Sequence, residues 1–490
     1  MKRKLLSPIW LTLCFATLGF AVMGYHPGLE DDGVYLAAVK SNLNPALYPH
    51  DSEFFRVQLQ ATVFDEWVAA SARLTRIPVA QVELLWQLAS ILLIVGSCFS
   101  IARRLFPEAR AQWAGVALVA AMFTLPVAGT ALTLVDQHLH PRNVATALIL
   151  LAVARILAGR RWQALPLLLV AFLIHPIMAA MGISFCCFLT LAMLDSLQLS
   201  LGSKRGAVAA FVPLGWTFEP PTPAWRQALD SRTYYFLYKW TWYEWLGALA
   251  PLFLFWLLWR VARKSLDATL ARFALAVFAY GIFQQAVAMA MLSSPALVRL
   301  TPLQPMRYLQ LVYFFLVLIA GSLAGKYLLR SSVWRWFVFL AAVNAGMFVS
   351  QRLEFAASEH IELPGRLSAN PWLQAFDWVR VNTPVDAYFA LDPHYLETPG
   401  EDYHSFRALA ERSQLADAVK DTAVVTQVPE LGPRWQRETE AQQGWTRFQL
   451  GDFERLKAQF GVDWILVSWP RPTDLDCRWH NESLAVCRIP

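Results

Sequence analysis

Three adjacent carboxylates, Glu30, Asp31 and Asp32, stand in the stretch YHPGLEDDGVYLAAVKSNLNPALYPHD, residues 25–51, directly after the first apolar segment. A carboxylate in such a place can serve as a general base toward a hydroxyl. Acids at a helix start also stabilise it through the dipole by about 0.3–1 kcal/mol, and capping or solvation is the plain alternative. Successive residues on a helix diverge by about 100°. Asp31 and Asp32 therefore cannot both face one cavity and are expected to hold different roles, with Glu30 a third candidate. Groups able to hold an anion recur farther on. His138, His140 and Arg142 lie in DQHLHPRN, residues 136–143; Arg299 precedes LQPMRYL, which contains Arg307. Arg142 and Arg307 each open an apolar segment, where a guanidinium can clamp a phosphate or simply anchor at headgroups. Two histidines two apart could ligate a metal or bind phosphate, a weak metal signal by itself. His175 precedes Pro176 inside an apolar run, and an ionisable residue at membrane depth is a functional candidate by default.

The elements that must position these residues are mostly apolar. The chain has 490 residues, 56% hydrophobic and 16% charged, against about 25% charged in ordinary soluble domains. Apolar runs fill residues 1–350, whereas 351–490 has the composition of a soluble domain. The expected fold is a polytopic α-helical membrane protein of about 11 spans with a small C-terminal α/β domain. After an uncleaved anchor over residues 5–24, spans are expected near 83–101, 112–134, 143–158, 163–177, 178–197, 206–216, 246–262, 269–291, 307–326 and 333–350. The outer loop 25–82 is expected to carry two amphipathic helices, about 29–43 and 52–75, lying at the bilayer interface. His175-Pro176 should break the run 163–197, because proline is poorly tolerated inside a helix.

Charge orients this arrangement. The expected inner loops carry Arg103, Arg104 and Arg110; Arg160 and Arg161; Lys204 and Arg205; Arg260, Arg263 and Lys264; and Lys326, Arg330 and Arg335. By the positive-inside rule the N-terminus is cytoplasmic, and the acidic loop and the tail lie outside. The net charge of +6 follows from these loops and gives no reason to expect a nucleic-acid partner. Cys14, Cys98, Cys186 and Cys187 fall in apolar runs. Cys477 and Cys487 lie in the tail and could close a hairpin in an oxidising compartment. The tail reads as helix 371–381, strand 387–391, helix 404–418, helix 453–460, strand 462–469 and strand 484–489, with no Gly-rich phosphate loop and no triad spacing.

LEDDGVY at 29–35, the interfacial helices to about residue 75, the span layout and a tail opening WLQAFDWVRVNTPVDAYF together resemble the GT-C class of integral-membrane glycosyltransferases. The resemblance implies transfer of a sugar from a polyprenyl-phosphate donor to a glycan, lipid or protein acceptor on the outer face of a membrane, that of bacteria being the expected inner membrane. It implies an acidic residue of the first outer loop as base and the histidines and arginines as binders of donor phosphate. A divalent metal ion is a candidate cofactor, its ligands unassigned. Two other classes stay open on the residues alone: a transporter or flippase-like protein, and a non-catalytic membrane protein with a partner-binding tail.

Overall fold

A computed structural model describes residues 7–194, 221–265, 267–292, 295–470 and 475–490. Among them, six helices are long and apolar enough to cross a bilayer: Val79–Leu105, Pro176–Met193, Trp242–Ala262, Ala268–Leu292, Leu297–Leu329 and Val333–Glu354. The chain is thus an integral membrane protein. Large apolar side chains such as Phe253, Leu257, Phe337 and Val349 are exposed along these helices, which suits a hydrocarbon surround. Two further apolar helices, Pro8–Met23 and Arg161–Ile174, are shorter. The expected total of about 11 spans is not reached among the described residues, and the segment expected near 206–216 lies outside them.

Helix α1 (Pro8–Met23) begins with proline in its first turn, where the missing N–H costs nothing, and ends at Gly24 with φ 82°. Its acidic sequel is a short 3-10 turn, Glu30–Gly33, followed by α2 (Tyr35–Leu43). The stretch 52–75 divides into α3 (Glu53–Leu59) and α4 (Phe64–Thr75), and α4 packs on α5 (Val79–Leu105). The expected span 112–134 is a departure. Helix α6 (Ala109–Ala121) stops, and strands β1 (Pro126–Val127) and β2 (Leu132–Thr133) form a small hairpin. Pro126 removes a helical donor, and Gly129 and Ala131 take positive φ. Val127, Leu132, Leu134 and Val135 are buried in protein, so hydropathy cannot tell them from a lipid-facing run. Helix α7 (Pro141–Leu157) starts at His140. Helices α8 (Ala164–Ile174) and α9 (Pro176–Met193) meet at His175, whose side chain accepts the Met178 N–H and caps α9. The break expected at His175-Pro176 is therefore present.

Helix α6 lies unusually close to the helix Tyr308–Leu323 and the turn that follows it. A Cβ on Gly321 would come within 2.7 Å of the Ala114 carbonyl, and one on Gly325 within 2.6 Å of the Arg110 carbonyl. Glycines four apart permit this backbone approach between membrane helices.

The C-terminal residues form a five-stranded sheet in the order β4-β3-β5-β7-β6, from β3 (Tyr388–Ala390), β4 (Ser413–Gln414), β5 (Trp464–Ser468), β6 (Asp476–His480) and β7 (Leu484–Arg488). β3 pairs in parallel with β4 and β5, and β7 antiparallel with β5 and β6. Alternate residues of β5 enter opposite cores: Ile465 and Val467 meet Phe453 and Leu456, and Leu466 meets Phe376 and Phe406. Burial on both faces explains the unbroken apolar run of this strand. The expected helix 404–418 is replaced by a five-residue helix, Phe406–Ala410, then β4. Glu411 adopts φ 55° and ends the helix. Arg412 then donates to the carbonyls of Arg380 and Thr383 at 2.8 Å, holding the chain extended. Cys477 and Cys487 are joined by a disulfide across β6 and β7.

Helices α2 and α3 dock the membrane part to the C-terminal part. Lys40 donates to the Ala408 carbonyl (2.8 Å) and pairs with Glu411 (2.7 Å), and Tyr48 donates to the Arg407 carbonyl (2.9 Å). The cavity described next is lined by residues from both parts.

Candidate functional site

A cavity of about 770 Å³ lies between one end of the helix bundle and the C-terminal residues. Its walls are the acidic turn, the β1–β2 hairpin, the loop before α7, the α8–α9 break, residues 232–235, Arg307 and the helix Lys420–Gln427. That last helix is held in place from several sides. Arg407 grips Asp421 through two nitrogens, each at 3.0 Å, and Gln427 donates to the Pro302 carbonyl at 2.9 Å. Trp225 donates to the Thr426 carbonyl at 3.1 Å. The first turn of the helix thereby sets Lys420 against the acidic turn.

Asp31 faces the cavity and is one-third exposed. Lys420 Nζ donates to Asp31 Oδ1 at 3.1 Å and to Glu30 Oε2 at 2.9 Å. His140 Nε2 lies 3.1 Å from Asp31 Oδ2, and His140 Nδ1 accepts the Arg142 backbone N–H at 2.9 Å. Because Nδ1 accepts, the neutral ring carries its proton on Nε2 and donates it to Asp31. Burial alone would raise the Asp31 pKa, but Lys420 first, then the His140 hydrogen bond, hold it well below the usual carboxylate range. Asp31 is ionised.

Asp32 is turned away. It is buried, accepts the Gly28 N–H at 2.8 Å, and faces the Glu83 carboxyl. Burial and then Glu83 push it well above the usual carboxylate range. Adjacency has thus divided the two acids: one ionised in the cavity, one protonated inside the protein. Glu30 sits at the rim at φ 45°, its N–H bonded to the Tyr403 carbonyl at 2.8 Å. A non-glycine residue there costs on the order of 1–3 kcal/mol, which the backbone contact to 403–404 must offset.

The expected anion binders divide as well. Arg142 lines the cavity but is committed to Asp136, donating from Nε at 3.1 Å and from a second nitrogen. Burial would raise Asp136; Arg142 foremost keeps it below its ordinary value. Arg307 lines the cavity, its Nε bonded to Gln304, which in turn donates to Tyr235 Oη at 2.9 Å. His138 and His175 also line it. Burial drives His138 down to about 3, so it is neutral. Arg299 is not at the cavity; its guanidinium lies 5.2 Å from the Trp225 ring centroid. Cys477 and Cys487, on β6 and β7, do not line the cavity.

Sequence reasoning passed over Lys420 and Arg232, which nothing distinguishes among the basic residues of the chain. It also passed over Asp136 as a partner of Arg142, for which the DQHLHPR spacing was a usable signal.

The acidic turn does not fit a divalent cation. The Lys420 ammonium already bridges Glu30 and Asp31. A His140 that ligated through Nε2 would have to protonate Nδ1, and Nδ1 is occupied by an N–H donor. Another group has metal-ligating geometry: one ligand atom each from His26, Glu362 and His404 lie within 4.8 Å of one another.

No family model matches the sequence, and no curated protein matches it. Two solved structures of the Archaeoglobus fulgidus oligosaccharyltransferase are similar to the chain. The apo form gives a TM-score of 0.45 at 12% identity over 94% of this chain and 69% of that one. The complex with Zn and sulfate gives 0.42 at 11% identity over 94% and 68%. Likeness at this level assigns no function.

Proposed function

We propose that the chain is a membrane glycosyltransferase that moves a sugar from a polyprenyl-phosphate donor to a hydroxyl of a glycan, lipid or protein acceptor. The observation carrying this reading is a single cavity that contains an ionised carboxylate, Asp31, and a guanidinium, Arg307, while Asp32 faces elsewhere. The acceptor oxygen attacks the anomeric carbon and its proton passes to Asp31. The carbon–oxygen bond to the donor phosphate breaks, and the electron pair leaves on the phosphate oxygen. Arg307, with Lys420 and Arg232 on the same walls, stabilises that charge as preorganised cations do. One displacement with attack opposite the leaving group inverts the anomeric centre. Arg307 stands at the start of the apolar helix Tyr308–Leu323, which supports a cavity near the bilayer surface, where a lipid-linked phosphate lies. The positive-inside rule, applied to the basic loops expected on the inner side, supports an outer-face position for the cavity.

The test is transfer of labelled sugar from a panel of polyprenyl-phosphate sugars by the full chain in liposomes. Arg307→Met should lower kcat/KM by about 10²-fold or more, as when one preorganised charge-stabilising group is removed. Label that crosses the bilayer with no glycosidic product would overturn the enzyme reading in favour of a transporter.

A further inference from the structure

His26, Glu362 and His404 come from distant parts of the chain and meet behind the acidic turn. His26 Nδ1 is 2.7 Å from Glu362 Oε1, and His404 Nε2 is 3.0 and 3.1 Å from the two Glu362 oxygens. Both imidazoles are fully buried, and the Glu362 side chain is 10% exposed. The backbone around them is knitted across the same seam: Tyr25 bridges Ile361, and Leu29 bridges His404.

The tautomer of His404 makes this arrangement informative. Its Nδ1 lies 3.1 Å from the Glu401 carbonyl, which can only accept, so Nδ1 carries a proton. In a neutral ring, Nε2 then presents a lone pair to two carboxylate oxygens. That contact is repulsive unless a positive charge sits between them. A ring N–H donated to a backbone carbonyl is the usual outer partner of a metal-bound histidine and leaves the other nitrogen, here Nε2, for the metal.

We propose that His26 Nδ1, Glu362 and His404 Nε2 form a structural zinc site that staples the start of the first outer loop to residues 361–404. Zinc–nitrogen and zinc–oxygen bonds of about 2.0–2.2 Å put tetrahedral ligand atoms about 3.3–3.5 Å apart. The separations of 2.7 and 3.0 Å reach this with small side-chain movements. Two imidazoles and one carboxylate favour zinc over magnesium or calcium, which prefer all-oxygen sites. The consequence is positional. The two joined segments carry Glu30 on one side and Asp402 and Tyr403 on the other, all at positive φ, and the Glu30 N–H bonds to the Tyr403 carbonyl. A cross-link beside them fixes the acidic turn that presents Asp31. The rival occupant is a proton: although burial opposes it, Glu362 raises His404 to about 9.

The test is metal content of the full chain purified in detergent without added chelator, by elemental mass spectrometry. Close to one zinc per chain is expected, lost in His404→Ala and in the milder Glu362→Gln, and retained in Asp31→Asn. Wild-type protein stripped with a strong chelator should melt lower and recover with zinc but not magnesium, a readout that needs no variant. A wild type that holds no zinc, and neither binds it nor shifts in melting when zinc is supplied, would overturn the site. So would equal zinc in wild type and both ligand variants. Neither result bears on sugar transfer, because metal content is read without substrate.

Discussion

Asn substitution at Asp31 and Asp32, one at a time, separates the two acids because the structure gives them opposite charge states. At Asp31, asparagine removes an ionised carboxylate that accepts from Lys420 and His140, both at 3.1 Å. Lys420 keeps Glu30 at 2.9 Å, and Asp31 is one-third exposed, so folding should lose only about 1 kcal/mol or less. Transfer should fall far more. Removing a general base costs about 10²–10⁴-fold, or about 3–5 kcal/mol of activation free energy at 1.36 kcal/mol per decade. At Asp32, asparagine is isosteric with the protonated acid already present. Its carbonyl can accept the Gly28 N–H and its amide can donate to Glu83, so stability should stay within about 1 kcal/mol and the rate should change little. The assay pairs initial rates of labelled-sugar transfer in proteoliposomes with melting temperatures of the same preparations. The reasoning fails if Asp31→Asn keeps wild-type transfer. It fails equally if Asp32→Asn loses as much transfer as Asp31→Asn at an unchanged melting temperature.

Lys420→Met should move the acid limb of the kcat/KM profile to higher pH. Lys420 is the leading influence that lowers Asp31; without it the carboxylate takes up its proton at a higher pH, so activity disappears earlier on acidification. An unmoved acid limb would separate Asp31 from the titrating step. Arg407→Met should destabilise the fold by about 3–5 kcal/mol, because it strands the buried Asp421 carboxylate, which Arg407 holds at 3.0 Å through two nitrogens. The same change loosens the turn that positions Lys420, so transfer should fall along with the melting temperature. A thermal melt matching wild type would show that the pair is not anchoring that helix.

Much of the scaffold is legible in sequence because its signals are local. Apolar runs of span length, basic flanks and the His175-Pro176 break depend on residues close together in the chain. So do helix 371–382 and strands β3, β5 and β7, whose ranges agree with the pattern to within a few residues. The stretch 112–134 misleads for a physical reason. Hydropathy reports removal from water, and a hairpin buried in protein is removed as thoroughly as a helix in lipid. The stretch 404–418 misleads because Arg412 bonds to residues about thirty positions earlier, an interaction no local propensity contains.

That Asp31 and Asp32 part follows from their adjacency in the chain, since helical geometry forbids adjacent side chains one direction. Which of them faces the cavity was decided by tertiary structure. Gly28 and Glu83 claim Asp32, and Lys420, nearly 390 positions away in the chain, claims Asp31. The same holds for the arginines: a guanidinium at the start of an apolar segment is visible in sequence, but its partner is not. Arg142 is held by Asp136, Arg299 lies over Trp225, and Arg307 lines the cavity. Charge states and cavity walls are set by Coulomb interactions and desolvation acting across a few ångströms of space, and only the folded chain brings those groups within that distance.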